Sequence, residues 1–285
     1  MEASSESRKP FTPHPEPYNE LIHQVAIVTV GNEILDGIIL DTNTKWMIER
    51  LKPLGLMVKE VIIVRDDVPE IGRAINRAVE DGCGLIITSG GLGPTHDDMT
   101  LKGVAEAFNL SLEVNEEGLA IVARQYRQLH EAGRIESGEI TEARKKMAIF
   151  PNGARPLDNK VGGAPGVLLK REGFEVVSLP GVPYELMWIF DNQLIPHLTQ
   201  HLDESYYEEV LSLPLRDEST LAPLIDEAMR RVPGVWIKSL VKPYGERGIK
   251  FWVSARGKDK RELEARVKKA IDILLQLAKD RLPSG

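Results

Sequence analysis

The stretch "SGGLGPTHDDMT", Ser89 to Thr100, sets Gly90, Gly91 and Gly93 ahead of two adjacent carboxylates, Asp97 and Asp98. Glycines let backbone amides approach an anion closely, and a helix pattern that begins at once adds the partial positive charge of a helix N-terminus. The register fits neither familiar phosphate loop. A nucleoside-triphosphate loop needs Gly-Lys-Ser/Thr after four residues, and counting from Gly90 places Thr95 there. The dinucleotide pattern starts well at Gly91 and Gly93 but meets His96 where its third glycine belongs. Two aspartates repel a bare phosphate; they make sense beside one if a hard cation such as Mg²⁺ lies between carboxylate and phosphate oxygens. Either aspartate also suits the N-cap of the following helix, and the two readings are compatible.

Two further loops carry chemistry-bearing residues. "GNEILDGIILDTN" holds Glu33, Asp36, Asp41 and Asn43 directly after an apolar run, where acidic groups can add a metal ligand, position a water, or form an ordinary solvated turn. "PGVPYEL" sets Gly181 before a helix start whose free amides can hold phosphate, with Pro183 and Glu185 suited to its first turn. "NKVGGAPG" is another glycine turn, with Lys160 either a phosphate contact or a surface charge. No Ser/His/Asp or Cys/His arrangement stands out, and no HExxH occurs; His96 is the one histidine beside the aspartates.

The elements that must position these loops follow from periodicity. "HQVAIVTVG" reads as a strand buried on both faces, "LMVKEVIIV" as a second and "GLIITS" as a third, which delivers the glycine loop. Between them Met47, Leu51 and Leu54, then Ile71, Ala74, Ile75, Ala78 and Val79, mark helices, and Leu101, Val104, Ala105 and Phe108 mark the next. This alternation predicts an α/β, three-layer, mostly parallel sheet, whose ligands gather outside the carboxyl ends of its strands. Residues 116–146 read as strongly helical with a stripe of Leu119, Val122, Tyr126 and Leu129. Short strands with Gly/Pro turns follow, then the helix after "PGVPYEL". Past Asp203 the order βαββα predicts a small α+β unit. The expected organisation is a flexible arm over 1–19, a main domain over 20–203 and a second over 204–285.

A chain of 285 residues can bury more than one core. A net charge of -7, from 36 basic and 43 acidic residues, argues against a general nucleic-acid binder but leaves room for a small anionic ligand. Cys83, the single cysteine, forms no internal disulfide and no thiolate metal site; it reads as a small buried residue, and a cytoplasmic location fits best. No run approaches the roughly 18 apolar residues of a membrane span. Trp46, Trp188, Trp236 and Trp252 read as core or interface residues rather than stacking platforms.

Taken together, "VGNEILDGIILDTN", "TSGGLGPTHDDMT" and "KVGGAPGVLL…VVSLPGVPYELMWIF" resemble the GTELLxGxxxDTN, TGGLGPTxDDxT and PVGTAPG…LPGPPxEL segments of the CinA family, in order and spacing, over about residues 24–200. The resemblance implies a fold like the molybdopterin-binding domains of the MoaB/Mog type, a KH-like second domain, and a homodimer. It implies Mg²⁺-dependent hydrolysis of ADP-ribose-like nucleotide pyrophosphates. Carried onto this chain, it points to Glu33, Asp97 and Asp98 for catalysis, with Asp98 and Asp97 as metal ligands. For substrate and phosphate it points to Asp41, Asn43, Gly90, Gly91, Gly93, Thr95, Gly162, Gly181 and Glu185, with Pro180 beside them. Asn32, Lys160, Gly163 and Val182 depart from the family pattern and bear on specificity. The amidase domain of two-part members is not represented, so a separately encoded amidase is the expected partner of a non-catalytic alternative. The other alternative is a molybdopterin-binding, adenylylating protein.

Overall fold

The structure, a computed structural model, describes residues 23–200, 202, 204–213, 221–240 and 249–281. The expected arm over 1–19 and the loop "KPYGERG" lie outside the described residues. Two compact units emerge, one of Met1–Ile48 with Met57–His201, the other of Glu49–Leu56 with Leu202–Gly285.

The first unit begins with β1 (Gln24–Val30), a single-turn α1 (Asn32–Leu35) and the start of α2 (Asn43–Leu51), whose residues from Glu49 on, with the 3₁₀ turn to Gly55 at φ +78°, are counted with the second unit. Then come β2 (Met57–Val64), α3 (Val68–Glu80), β3 (Leu85–Ser89) and α4 (Thr100–Ala107). β4 (Leu112–Val114), α5 (Glu116–Glu131), α6 (Glu142–Lys146) and β5 (Ile149–Pro151) lead to β6 (Arg155–Leu157), β7 (Gly166–Arg171) and β8 (Phe174–Leu179). α7 (Pro183–Ile189), a π turn and α8 (Ile195–Thr199) close the unit. The helical reading of 116–146 is corrected: α5 stops at Glu131, Gly133 turns at φ +67°, and helix returns only at Glu142. A left-handed glycine ends a helix without steric penalty, so charge and an apolar stripe alone overstated its length.

Six strands form one sheet in the order β2-β1-β3-β8-β7-β6. The first four are mutually parallel, β7 runs antiparallel to β8, and β6 antiparallel to β7, giving a mixed, mostly parallel sheet. β1 and β3 are central and almost wholly buried, as continuous β-branched runs require. β2, at the edge, alternates, and its Met57, Val61 and Ile63 are exposed. On one face Ala26, Val28, Val30 and Ile86 pack with Ile71 and Ile75 of α3 and Val104 of α4. Chain order runs from β1 outward to β2 and then back past β1 to β3. The crevice at the carboxyl ends of β1 and β3 is therefore a topological switch point.

The second unit holds β9 (Ser205–Leu213), α9 (Ala222–Arg231), β10 (Val235–Leu240), β11 (Ile249–Gly257) and α10 (Lys260–Arg281), the expected βαββα order. Its antiparallel sheet, ordered β10-β11-β9, packs Ile237, Phe251 and Val253 against Leu224, Leu263, Val267 and Leu274. Trp46 meets Phe190 edge-to-face at 5.3 Å. Of the core-or-interface reading, the core half does not hold for Trp236, which strand alternation turns outward at 56% exposure.

Candidate active site

All four parallel strands end at one edge of the sheet, and the residue or loop after each faces a single cavity of about 580 Å³. Past β1 come Glu33, Asp41 and Asn43; past β2, Asp66; past β3, Gly90 to Gly93 with Asp97 and Asp98; past β8, Pro180, Gly181 and Glu185. The strand ends are tied at their bases: Gly31 N donates to Val64 O at 3.1 Å and Gly90 N to Leu179 O at 3.0 Å. Gly90 sits at φ +105°, and a Cβ there would fall 2.2 Å from Val30 O, so only glycine fits between the β1 and β3 ends.

The loop after β3 shows what the two aspartates do. Thr95 N donates to Asp98 Oδ2 at 2.7 Å, while its Oγ1 lies 2.6 Å from the same oxygen and 2.5 Å from Asp97 Oδ1. Thr95 thus bridges the two carboxylates, its amide donating to Asp98 and its one hydroxyl proton serving Asp97, whose carboxyl it keeps below the ordinary range. Neither aspartate caps α4, whose N-cap is Met99 with no side-chain bond, so the capping alternative is not realised. A Cβ on Gly93 would approach Asp98 Oδ2 to 2.7 Å. The amides of Gly91 and Gly93 have no hydrogen-bond acceptor among the described residues.

Asn43 is buried at 8% exposure, and its Nδ2 donates to Gly181 O at 2.8 Å and Ser89 Oγ at 3.3 Å. Those bonds fix the amide, and its Oδ1 is buried with no partner among the described residues. A buried lone acceptor is costly unless a ligand donor meets it. Asp41, by contrast, is occupied: Oδ1 accepts from Thr44 N at 3.0 Å, and Oδ2 accepts from the Thr29 and Thr44 hydroxyls. Its carboxylate secures the start of α2 at the cavity wall.

At the far side, Glu185 is buried in the first turn of α7 and accepts from Asn159 Nδ2 at 2.8 Å. Burial raises its carboxyl above the ordinary range, and the Asn159 bond opposes the rise. Gly162 does not line the cavity; it makes space for the Glu185 carboxyl. Thr95 likewise acts behind the lining. Asp36 pairs with Arg65 at 2.9 Å, Lys160 is exposed away from the cavity, and His96 is almost fully exposed.

Four residues hold roles at the site that the sequence reading did not give them. Asp66 lines the cavity, accepts from Asn32 N at 2.8 Å, and is raised by burial and then by the charges of Glu33, Asp97 and Asp98. Its position directly after a strand was the available signal. Tyr126 lines the cavity beneath the Arg144 guanidinium, 4.0 Å from its ring. Asn159, wholly buried, donates to Ala164 O at 2.7 Å and accepts from the amides of Val161 and Gly162, both at 3.0 Å. Lys146 donates from α6 to the Thr95 carbonyl.

The sequence matches the family described as "Probable molybdopterin binding domain" over residues 26–200. A protein of Pyrococcus abyssi is 40% identical over 222 residues, covering 77% of this chain and 86% of that one. One of Caldivirga maquilingensis is 38% identical over 260 residues, covering 90% and 97%. A crystal structure of a CinA protein of unknown function from Thermoplasma acidophilum is 36% identical and covers 62% of this chain and 98% of that chain, with a TM-score of 0.55. This chain belongs to the molybdopterin-binding-domain family and is a CinA-like member of it. The resemblance read from three loops thus holds over residues 26–200, and the family's α/β fold is the one observed. No described helix is long and apolar enough to cross a membrane.

Proposed function

We propose that the cavity hydrolyses a nucleotide-type pyrophosphate of the ADP-ribose class with Mg²⁺. The observation that carries this reading is the cavity's lining: the glycines of the loop after β3 beside Glu33, Asp66, Asp97 and Asp98, with no lysine or arginine among the lining residues. Amides suit phosphate oxygens, and the carboxylates demand a cation before an anion can enter. The donor set is all oxygen, which fits a hard ion. Among the described residues no group of three or more His, Cys, Asp or Glu converges closely enough to hold a metal. Mg²⁺ is commonly held by one or two carboxylates, with substrate phosphates and waters completing its shell.

Asp98 and Asp97 would hold the metal, which when bound would offset charge on the phosphoryl oxygens. The amides of Gly91 and Gly93 hold one phosphate and the turn at Gly181 the other. Glu33 orients a water for attack on phosphorus and takes up its proton as the P–O bond to the bridging oxygen breaks, releasing AMP and ribose 5-phosphate. The buried Asn43 Oδ1 and the Glu185 carboxylate are acceptors, suited to hydroxyl or N–H donors on the rest of the ligand rather than to phosphate. The test is AMP release from ADP-ribose by the purified chain with and without Mg²⁺. No Mg²⁺-dependent release would end the reading.

A second reading rests on the family description: the same amides and carboxylates bind molybdopterin phosphate, with or without adenylyl transfer. Molybdopterin binding tighter than ADP-ribose binding, measured by pterin fluorescence, would favour it. The expectations of a homodimer and of a separate amidase partner are proposals alongside these, checked by light scattering and by pull-down with the amidase.

A further inference from the structure

We propose that Lys146 is the positioning residue for the Asp97–Asp98 pair, holding the tip of the glycine loop through the Thr95 carbonyl and bringing it the cationic side chain its own sequence lacks. This inference rests on the hydrolytic reading for its consequence in turnover but not for its structural content.

The loop is fixed at its base. Gly90 N is bonded to Leu179 O, Thr100 N to Gly91 O at 3.2 Å, and Thr100 Oγ1 to Gly90 O at 2.7 Å. Its tip is otherwise self-contained. Thr95 grips both aspartates, and Asp98 N returns a 3.3 Å bond to Thr95 O. Among the described residues, Lys146 Nζ is the hydrogen-bond partner that reaches the Leu92–Asp98 stretch from outside the loop. A self-contained turn bonded only at its base can rock as a body, and one bond from a fixed support removes that freedom.

The support is fixed. Lys146 ends α6, and the next residues, Met147 and Ala148, are buried at 4% and 0% exposure in a small apolar cluster with Val122 and Ala164. Leu92, from the glycine loop itself, belongs to that cluster. The loop is thus docked on this support twice, through an apolar side chain near its base and through Lys146 near its tip. From Ser89 to Thr100 the chain has neither lysine nor arginine. Partial burial, with Lys102 nearby, holds the Lys146 ammonium below its ordinary range, while Asp98 and Asp97 favour its charged form. Two carboxylates gripped by one threonine are mutually repulsive, and a cation at their shared anchor lowers that repulsion.

The experiment compares the full chain with K146M and K146R by amide hydrogen exchange and by AMP release. In K146M, exchange over Gly91–Thr100 is expected to accelerate by about tenfold, the scale of one lost charge-assisted hydrogen bond, with the melting temperature little changed. K146R, which keeps a cationic donor, is expected to restore protection. Turnover is expected to fall in kcat more than to rise in KM in K146M, with partial recovery in K146R. Unchanged exchange over Gly91–Thr100 in folded K146M overturns the proposal, and so does a K146R variant as unprotected as K146M. If K146M does not fold, K146Q, a neutral polar side chain, takes its place under the same criteria. A wild-type chain that releases no AMP ends the hydrolytic reading, while the exchange data still decide the role of Lys146.

Discussion

A Cβ placed on Gly162 would fall 1.8 Å from Glu185 Cδ and 2.0 Å from its Oε2. The missing side chain at 162 is therefore the room in which the buried carboxylate sits, with Asn159 donating to it from the same turn. Gly162→Ala is expected to cost about 3 kcal/mol, the upper range for overpacking, and to displace Glu185 from the cavity. Gly163→Ala is the control, because its Cβ would meet only the edge of the Tyr126 ring at 3.1 Å. Urea midpoints for the two variants check this, and equal losses would sink the argument.

Asn159 carries the next expectation. Its side chain satisfies two amides, one carbonyl and one carboxylate, all from a fully buried position. Asn159→Ala leaves several of these groups unpaired, at about 1–3 kcal/mol each. A loss of at least about 3 kcal/mol in denaturant unfolding is expected, and Asn159→Asp is expected to do no better, since it sets a second carboxylate against Glu185.

The pH dependence of stability has a definite sign at Glu185. Its folded pKa lies above the ordinary value of 4.5 because the charged form is buried. The folded state therefore holds this proton more tightly than the unfolded state, and the cost of the buried charge is present at neutral pH. That cost is relieved as pH falls through the raised folded value toward 4.5. Glu185→Gln removes the charge, and its Oε1 can still accept from Asn159. The variant is expected to melt higher than wild type at neutral pH, with the gap closing in mild acid, while ligand binding falls. A gap that widened on acidification would contradict this account.

Much of this was legible because the site is built from strand ends. The apolar runs of β1 and β3, both buried between layers, announce themselves, and the glycine and acidic residues that follow them are necessarily at the carboxyl edge. What escaped depends on division of labour between neighbours. In "VRDDVPE" Asp67 caps α3 by accepting from Glu70 N at 3.0 Å, which frees Asp66 for the cavity, and no periodicity separates the two. Lys146 is 51 residues from Thr95, at the end of a segment whose helical stretch was overestimated. Asn159 looks like any turn asparagine until its burial is known. Thr95 and Gly162 belong to the motifs, but their position behind the lining depends on how the loops pack and leaves no mark in the sequence.

Cys83 tests the core directly. At 2% exposure its thiol is pushed up to about 11 by burial. The thiolate fraction at mildly alkaline pH is then on the order of a thousandth, and access is blocked as well. A thiol reagent is expected to leave the native chain unmodified over hours and to react stoichiometrically in urea. Rapid modification of the native chain would show that the α3–β3 connection opens locally.

Asp98 is where loop architecture and proposed chemistry can be separated. Its Oδ2 accepts from the Thr95 amide and lies 2.6 Å from the Thr95 hydroxyl oxygen. Asp98→Asn keeps one carbonyl oxygen for the Thr95 amide and removes the charge, so the loop is expected to keep its fold and the melting temperature to stay within a few degrees. If the carboxylate binds Mg²⁺, the ion stabilises the wild-type chain by mass action and raises its melting temperature. That rise should vanish in Asp98→Asn, and AMP release should fall by at least about 100-fold, the scale of a removed charge-stabilising group. Asp98→Ala adds the loss of the Thr95 grip and should lower stability as well as turnover. Thermal shift across a Mg²⁺ titration, paired with AMP release, distinguishes the cases. Turnover and Mg²⁺ response unchanged in Asp98→Asn would remove Asp98 from the metal site and leave it a purely structural clamp.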